Sequence, residues 1–216
     1  MTAPASNQER KVLIPSDAGG LEGELALPGR TIGVVLFAHG SGSSRLSPRN
    51  THVARTLNQA GIGTLLFDLL TREEDRNYET RFDIGLLTTR LLAATEWVAG
   101  DPACSHLKIG YFGASTGAAA ALQAAAARPA IAAVVSRGGR PDLAGAPALE
   151  MVRAPTLLLV GGCDEIVIEL NERAFSRLAC VKNLVIVPGA SHLFEEPGTL
   201  DQVAAHASQW FGRWLA

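Results

Sequence analysis

Two kinds of hydrophobic pattern alternate along this chain. Short, nearly continuous apolar runs recur at residues 32–38, 64–67, 107–112, 131–136, 156–160 and 183–187. Runs of that length with no polar side to present read as strands covered on both faces, the habit of a parallel sheet. Between them lie stretches with helical spacing. Residues 48–60 place Val53, Leu57 and Ala60 on one side, and residues 82–98 space Phe82, Leu86, Thr89 or Arg90, Ala93 and Trp97. Residues 116–127 and 168–178 are also helix-like, and 199–215 closes the chain with Val203, Trp210, Phe211 and Trp214 as its expected inner face. Pro48 and the Gly100-Asp101-Pro102 stop fit helix boundaries. The beginning differs. Residues 11–14 and 21–27 flank Asp17-Ala18-Gly19-Gly20, and the second run strictly alternates, with Leu21, Gly23, Leu25 and Leu27 against Glu22 and Glu24. That is the signature of an antiparallel pair at a sheet edge. Strands alternating with helices after such a start predict a mostly parallel, doubly wound α/β sheet with helices on both faces. No repeat, linker or composition break divides residues 1–216, so one domain is expected.

Composition narrows the function classes. The balance of 19 basic and 21 acidic residues, with no basic stripe, gives no support for binding nucleic acid or an anionic membrane. No apolar run reaches the roughly 18 residues of a membrane span, and residues 1–11 are polar, without the apolar core of a signal peptide. Cys104, Cys163 and Cys180 are odd in number and widely spaced, which predicts reduced, mostly buried thiols in a cytoplasmic protein and no metal site. No cofactor is expected.

The candidate chemistry gathers where strands end. In a wound sheet the ligand crevice opens beyond the carboxyl ends of the strands. The stretch Gly113-Ala114-Ser115-Thr116-Gly117 follows an apolar strand and opens an alanine-rich helix. A serine flanked at two residues on either side by glycine, at a strand-to-helix turn, is the nucleophile-elbow pattern. Asp164 and His192 close the two later strands, so the order is Ser115, Asp164, His192. A serine hydroxyl needs an adjacent base at neutral pH, and an imidazole needs an acid to fix its tautomer. Asp142, after the preceding strand, and Glu165 compete with Asp164 for the acid role. A developing oxyanion needs preorganised donors, for which the N–H groups of Thr116 and of Ser41, in the His39-Gly40-Ser41-Gly42-Ser43-Ser44 loop, are candidates. His39 is expected to anchor that loop by hydrogen bonds. Arg137 and Arg140 stand at a strand end, where either could grip an anionic substrate. A solvated loop is the simplest reading of the charged run 72–76, which could also form one wall of the site. His52, His106 and His206 lack ligand spacing.

The pieces His39-Gly40-Ser41-Gly42-Ser43, Gly113-Ala114-Ser115-Thr116-Gly117, Gly162-Cys163-Asp164 and Gly189-Ala190-Ser191-His192 resemble those of the α/β-hydrolase superfamily, in its dienelactone-hydrolase-like branch. The resemblance implies a single α/β-hydrolase domain with catalytic Ser115, Asp164 and His192. The namesake enzymes use a cysteine where this chain has Ser115. It further implies hydrolysis of a small ester, thioester or lactone through an acyl-enzyme, with acyl transfer or perhydrolysis at the same residues, or a non-catalytic binding role, as alternatives. Chains of this type also occur joined to phosphoribosyltransferase domains. The short segment between the strands at 131–136 and 156–160 leaves room for little or no lid, which suits a small, soluble acyl substrate.

Overall fold

A computed structural model describes residues 8–17 and 19–216. Its strands are β1 (Gln8–Ser16), β2 (Gly19–Leu27), β3 (Val34–Ala38), β4 (Gly63–Phe67), β5 (Ile109–Ala114), β6 (Ala133–Arg137), β7 (Thr156–Gly161) and β8 (Lys182–Val187). Its helices are α1 (Pro48–Gln59), α2 (Ile84–Gly100), α3 (Thr116–Ala127), α4 (Ala146–Met151), α5 (Glu165–Arg177) and α6 (Thr199–Leu215), with single 3-10 turns at Glu74–Arg76, Thr80–Phe82 and Pro141–Ala144. The sheet order is β1-β2-β4-β3-β5-β6-β7-β8. β1 and β2 pair antiparallel, as do β2 and β4, and every other neighbouring pair is parallel. This is the α/β-hydrolase architecture. The alternation in β2 does what its pattern predicts: Leu21, Leu25 and Leu27 are buried while Glu22 and Glu24 face solvent.

Successive residues of the central strands feed two cores. Leu36, Tyr111, Val134 and Leu158 pack with the inner faces of α2, α3 and α5, whereas Phe37, Phe112, Val135 and Leu159 pack with α1 and α6. Full burial on both sides is why these strands read as unbroken apolar runs. The alanines of α3 let that helix lie against the sheet, with Ala118 to Ala121 wholly buried.

Some helix faces differ from expectation by a residue. In α2 the inward stripe is Ile84, Leu87, Leu91, Ala94 and Val98, and Phe82 belongs to the preceding 3-10 turn. Asp83 decides the boundary, since its side chain accepts from the Leu86 N–H at 2.9 Å and caps the helix. Arg90 shares the buried side, because it forms ion pairs with Asp17 and, at 2.6 Å, with Glu74. In α6, Ala204, Ala207 and Leu215 complete the inner face and Trp210 and Trp214 sit at its margin. Ala60 caps α1 and is exposed, and Asn50 and Ala54 take its place on the inner side.

The segment joining β6 to β7 holds only the turn Pro141–Ala144 and the six-residue α4, so no lid domain rises over the strand ends. At the opposite rim, Gln8 pairs with Leu27 and shares a surface cleft with Leu107, and Lys108 Nζ donates to the Ala216 carbonyl at 2.5 Å. Both described ends of the chain therefore lie at the amino ends of the parallel strands. Among the described residues no helix is long and apolar enough to cross a membrane.

Candidate active site

β5 ends at Ala114 and α3 begins at Thr116, leaving Ser115 alone in the turn with φ 50° and ψ −119°. A non-glycine residue in that region is strained and must be held by its surroundings. The hold is on the main chain. The Ser115 N–H donates to the Arg137 carbonyl at 3.2 Å, and the Ser115 carbonyl accepts from the N–H groups of Ala118 and Arg140, each at 3.1 Å. The flanking glycines are required by close approach: a Cβ on Gly117 would lie 2.1 Å from the Ala38 carbonyl oxygen, and one on Gly113 2.4 Å from Ala118 Cα. The loop from His39 to Ser44 passes beside Ser115, since a Cβ on Gly40 would lie 3.1 Å from Ser115 Cβ.

His192 and Asp164 come together from the ends of β8 and β7. His192 Nδ1 and Asp164 Oδ2 are 2.6 Å apart. With a carboxylate as acceptor, Nδ1 carries the proton and Nε2 keeps its lone pair. Asp164 occupies the N-cap position of α5 but makes no capping bond, so its carboxylate is free for the imidazole. Asp142 is committed elsewhere, in a two-pronged pair with Arg140 at 2.9 and 2.7 Å. That pair raises the Arg140 pKa above its ordinary value through hydrogen bonding. Glu165 is exposed on the first turn of α5. Glu196 steadies the histidine loop by accepting the Ser191 N–H at 3.0 Å, which holds its carboxyl below the usual range.

Thr116 is buried at the start of α3, where its N–H has no intrahelical acceptor. Its hydroxyl accepts the Ser41 N–H at 2.9 Å, so the two expected oxyanion donors are adjacent while one of them is already hydrogen-bonded. His39 anchors the loop as expected. Its Nε2 accepts the Leu69 N–H at 3.0 Å, which places the proton on Nδ1 for donation to the Gly40 carbonyl, also at 3.0 Å. Burial pushes its pKa below the ordinary value.

The two arginines at the end of β6 differ. Arg140 stays partly accessible beside Asp142. Arg137 is buried, 6% exposed, with its guanidinium donating to Asn50 Oδ1 at 3.3 Å and lying 5.9 Å from the centre of the Phe194 ring. Desolvation, with the nearby Arg49 charge, lowers its pKa to about 10. Nothing in the residue pattern singles out Arg81. Its guanidinium is held by Asp75, and Nη1 comes within 3.7 Å of the place where a Gly42 Cβ would stand. The loop after β4 thus walls the site beside the oxyanion loop, and a pocket of about 180 Å³ between the two is lined by His39, Ser43, Ser44, Asp68 and Asp75. Tyr78 and Phe82, 4.8 Å apart, expose aromatic surface on the same loop. Among the described residues no cluster of His, Cys, Asp and Glu could hold a metal ion. Of the cysteines, Cys104 is buried, with its thiol pushed up to about 11 mainly by desolvation, whereas Cys163, expected inside, is exposed in the turn before Asp164.

A sequence profile of the dienelactone hydrolase family matches residues 21–215. The chain belongs to the dienelactone hydrolase family. A crystal structure of a dienelactone hydrolase from Anabaena variabilis superimposes with a TM-score of 0.95 at 57% identity, covering 98% of this chain and 100% of that one. XC6422 from Xanthomonas campestris, described as an α/β serine hydrolase without a lid, shares the fold with a TM-score of 0.79 at 23% identity, over 96% of this chain and 95% of its own. A curated protein of Mycobacterium tuberculosis, provisionally named a phosphoribosyl transferase, is 59% identical over 190 residues, which is 88% of this chain but 43% of that protein. This dienelactone hydrolase family member therefore spans less than half the length of these curated relatives.

Proposed function

We propose that this chain is a serine hydrolase that cleaves a small carboxylic ester, thioester or lactone through an acyl-enzyme. The observation that carries the reading is the 2.6 Å contact of His192 with Asp164 at the same sheet rim as Ser115, whose backbone stands at φ 50°. In this reading His192 Nε2 takes the Ser115 proton as Oγ attacks the acyl carbon. Asp164 stabilises the imidazolium, which then protonates the leaving oxygen or sulfur as the carbonyl re-forms. Water repeats the sequence on the acyl-enzyme and releases the acid. The oxyanion takes the Thr116 N–H together with the Ser41 N–H, displacing the Thr116 hydroxyl from the latter. Arg140 is the arginine placed to meet an anionic substituent. The membership of the dienelactone hydrolase family supports small esters as the substrate class, and the absence of a lid domain among the described residues suits soluble ones.

The direct test is covalent labelling by a fluorophosphonate, paired with hydrolysis of short p-nitrophenyl esters. Ser115→Ala should abolish both. Asp164→Asn should lower kcat by roughly 10³–10⁴ through the wrong imidazole tautomer, while Asp142→Asn should leave kcat within about twofold, as for a residue that only pairs with a partly exposed arginine. Full turnover in Ser115→Ala, or labelling at another residue, would remove the assignment.

A further inference from the structure

Arg137 closes β6 and is held against the Ser115 turn through its main chain and against the loop that carries His192 through Phe194. Its carbonyl holds the Ser115 N–H at 3.2 Å. Its side chain runs under the histidine loop, where the guanidinium sits 5.9 Å from the centre of the Phe194 ring and donates to Asn50 on α1. Phe194 is 1% exposed and has φ 57°; with Ser115 it is one of two described non-glycine residues at positive φ. The next residue, Gly138, has φ 51°, and a Cβ there would lie 2.9 Å from the His192 carbonyl oxygen and 3.6 Å from its Cε1. The dipeptide Arg137-Gly138 is thus the floor on which Ser115 and His192 both rest.

The chemistry of this floor is unusual for a buried cation. Among the described residues Arg137 has no carboxylate partner, its Nε lacks any acceptor, and the neighbouring charge is that of Arg49. What opposes the desolvation is an amide oxygen and the negative face of an aromatic ring. A flat guanidinium against a ring face fixes the ring's orientation, and Phe194 lies two residues after His192. The hold extends from the same side of the molecule, because Arg49 pairs at 3.1 Å with Glu195, between Phe194 and Glu196.

We infer that Arg137 is a positioning residue for the catalytic pair: its buried guanidinium, gripping Phe194 and Asn50, sets the His192 imidazole in register with the Ser115 elbow that its own carbonyl restrains. The inference rests on the serine-hydrolase reading, and it replaces substrate binding as the role of this side chain. An imidazole displaced by about an ångström costs on the order of a hundredfold in rate.

The test compares Arg137→Met, Arg137→Lys and Phe194→Leu with the wild type on a neutral ester and its carboxylate-bearing analogue. Thermal melting and circular dichroism select the folded variants. The expected result is a fall of about tenfold or more in kcat with KM within about twofold, equal for both esters, in Arg137→Met and Phe194→Leu. Arg137→Lys should recover part of the loss, and the Arg137→Met/Phe194→Leu double variant should lose little more than the worse single one, as expected of one coupled contact. The downfield proton resonance of the His192–Asp164 hydrogen bond should broaden or vanish in both variants. That signal needs no turnover, so it tests the clamp independently of whether Ser115 is the nucleophile, which Ser115→Ala decides. If Arg137→Met does not fold, Phe194→Leu and Arg137→Lys carry the decision. Unchanged kcat and an intact resonance in the folded variants would overturn the inference. So would a KM increase confined to the carboxylate-bearing ester, which would return Arg137 to substrate binding.

Discussion

Thr116 shows how much one hydroxyl can decide. It accepts the Ser41 N–H at 2.9 Å, the donor expected to meet the oxyanion. If the backbone groups are the true donors, Thr116→Ala should leave kcat/KM within about threefold and cost about 1 kcal/mol of stability, the net worth of one hydrogen bond. A fall of 10² or more, the usual loss on deleting an oxyanion donor, would mean that the threonine hydroxyl itself faces the substrate oxygen. Steady-state kinetics with a short ester and a urea melt give both numbers. At this scale the sequence is legible in where it places residues: Ser115 falls in a strand-to-helix turn, and His192, after the final strand, meets Asp164, before α5. It is silent where position depends on a side chain's reach. Arg137 and Arg140 look alike in the sequence, yet one is buried beneath an aromatic ring and the other is paired in the open. Arg81 reaches the Gly42 loop from a turn with no periodicity at all.

Among the elements, the loop from His39 to Ser44 and the turn at Ser115 carry the strictest demands. His39 ties the loop to the segment after β4 through Nε2, which accepts the Leu69 N–H, while Nδ1 holds the Gly40 carbonyl of the loop itself, and burial favours its neutral form. Its folded pKa lies below its unfolded value near 6.5, so its contribution is fully present above that value and is lost as pH falls below it toward the folded pKa. The unfolded chain then binds a proton that the folded chain refuses, and stability should drop by up to about 1.4 kcal/mol per pH unit in that window. Melting temperatures between pH 8 and pH 5 should show this slope, and His39→Gln should flatten it. In the elbow, Gly117→Ala would drive a methyl group into the Ala38 carbonyl. It should destabilise by at least about 1–3 kcal/mol, the usual cost of overpacking, measurable as a lower urea midpoint. The central strands were legible because burial on both faces leaves an unambiguous apolar run. The face of α2 lies one residue away from expectation, since Leu86, Ala93 and Trp97 flank the buried stripe of Leu87, Ala94 and Val98, while Arg90, one of two residues expected at its position, does sit inside through its pairs with Asp17 and Glu74.

Taken whole, the molecule separates its restraints from its site. Two cores grip the sheet from either face, and the central strands supply alternate residues to both. The order of elements follows from the sequence by the rules of parallel connection, whereas the way β2 joins β4 antiparallel needs the structure, since both β1 and β4 are plausible neighbours for an alternating strand. The placement of Gln8 beside Leu107 and of Ala216 beside Lys108 has a practical outcome. Both described ends are on the far side of the sheet from Ser115 and His192. A passenger protein fused at either end, or at both, should therefore leave the mouth of the crevice unshadowed, and ester kcat/KM should stay within about twofold of the unfused chain, a change too small to reflect lost transition-state binding. Copies of this chain could then be strung head to tail, or fixed to a surface by one end, with Ser115 and His192 still facing the solution.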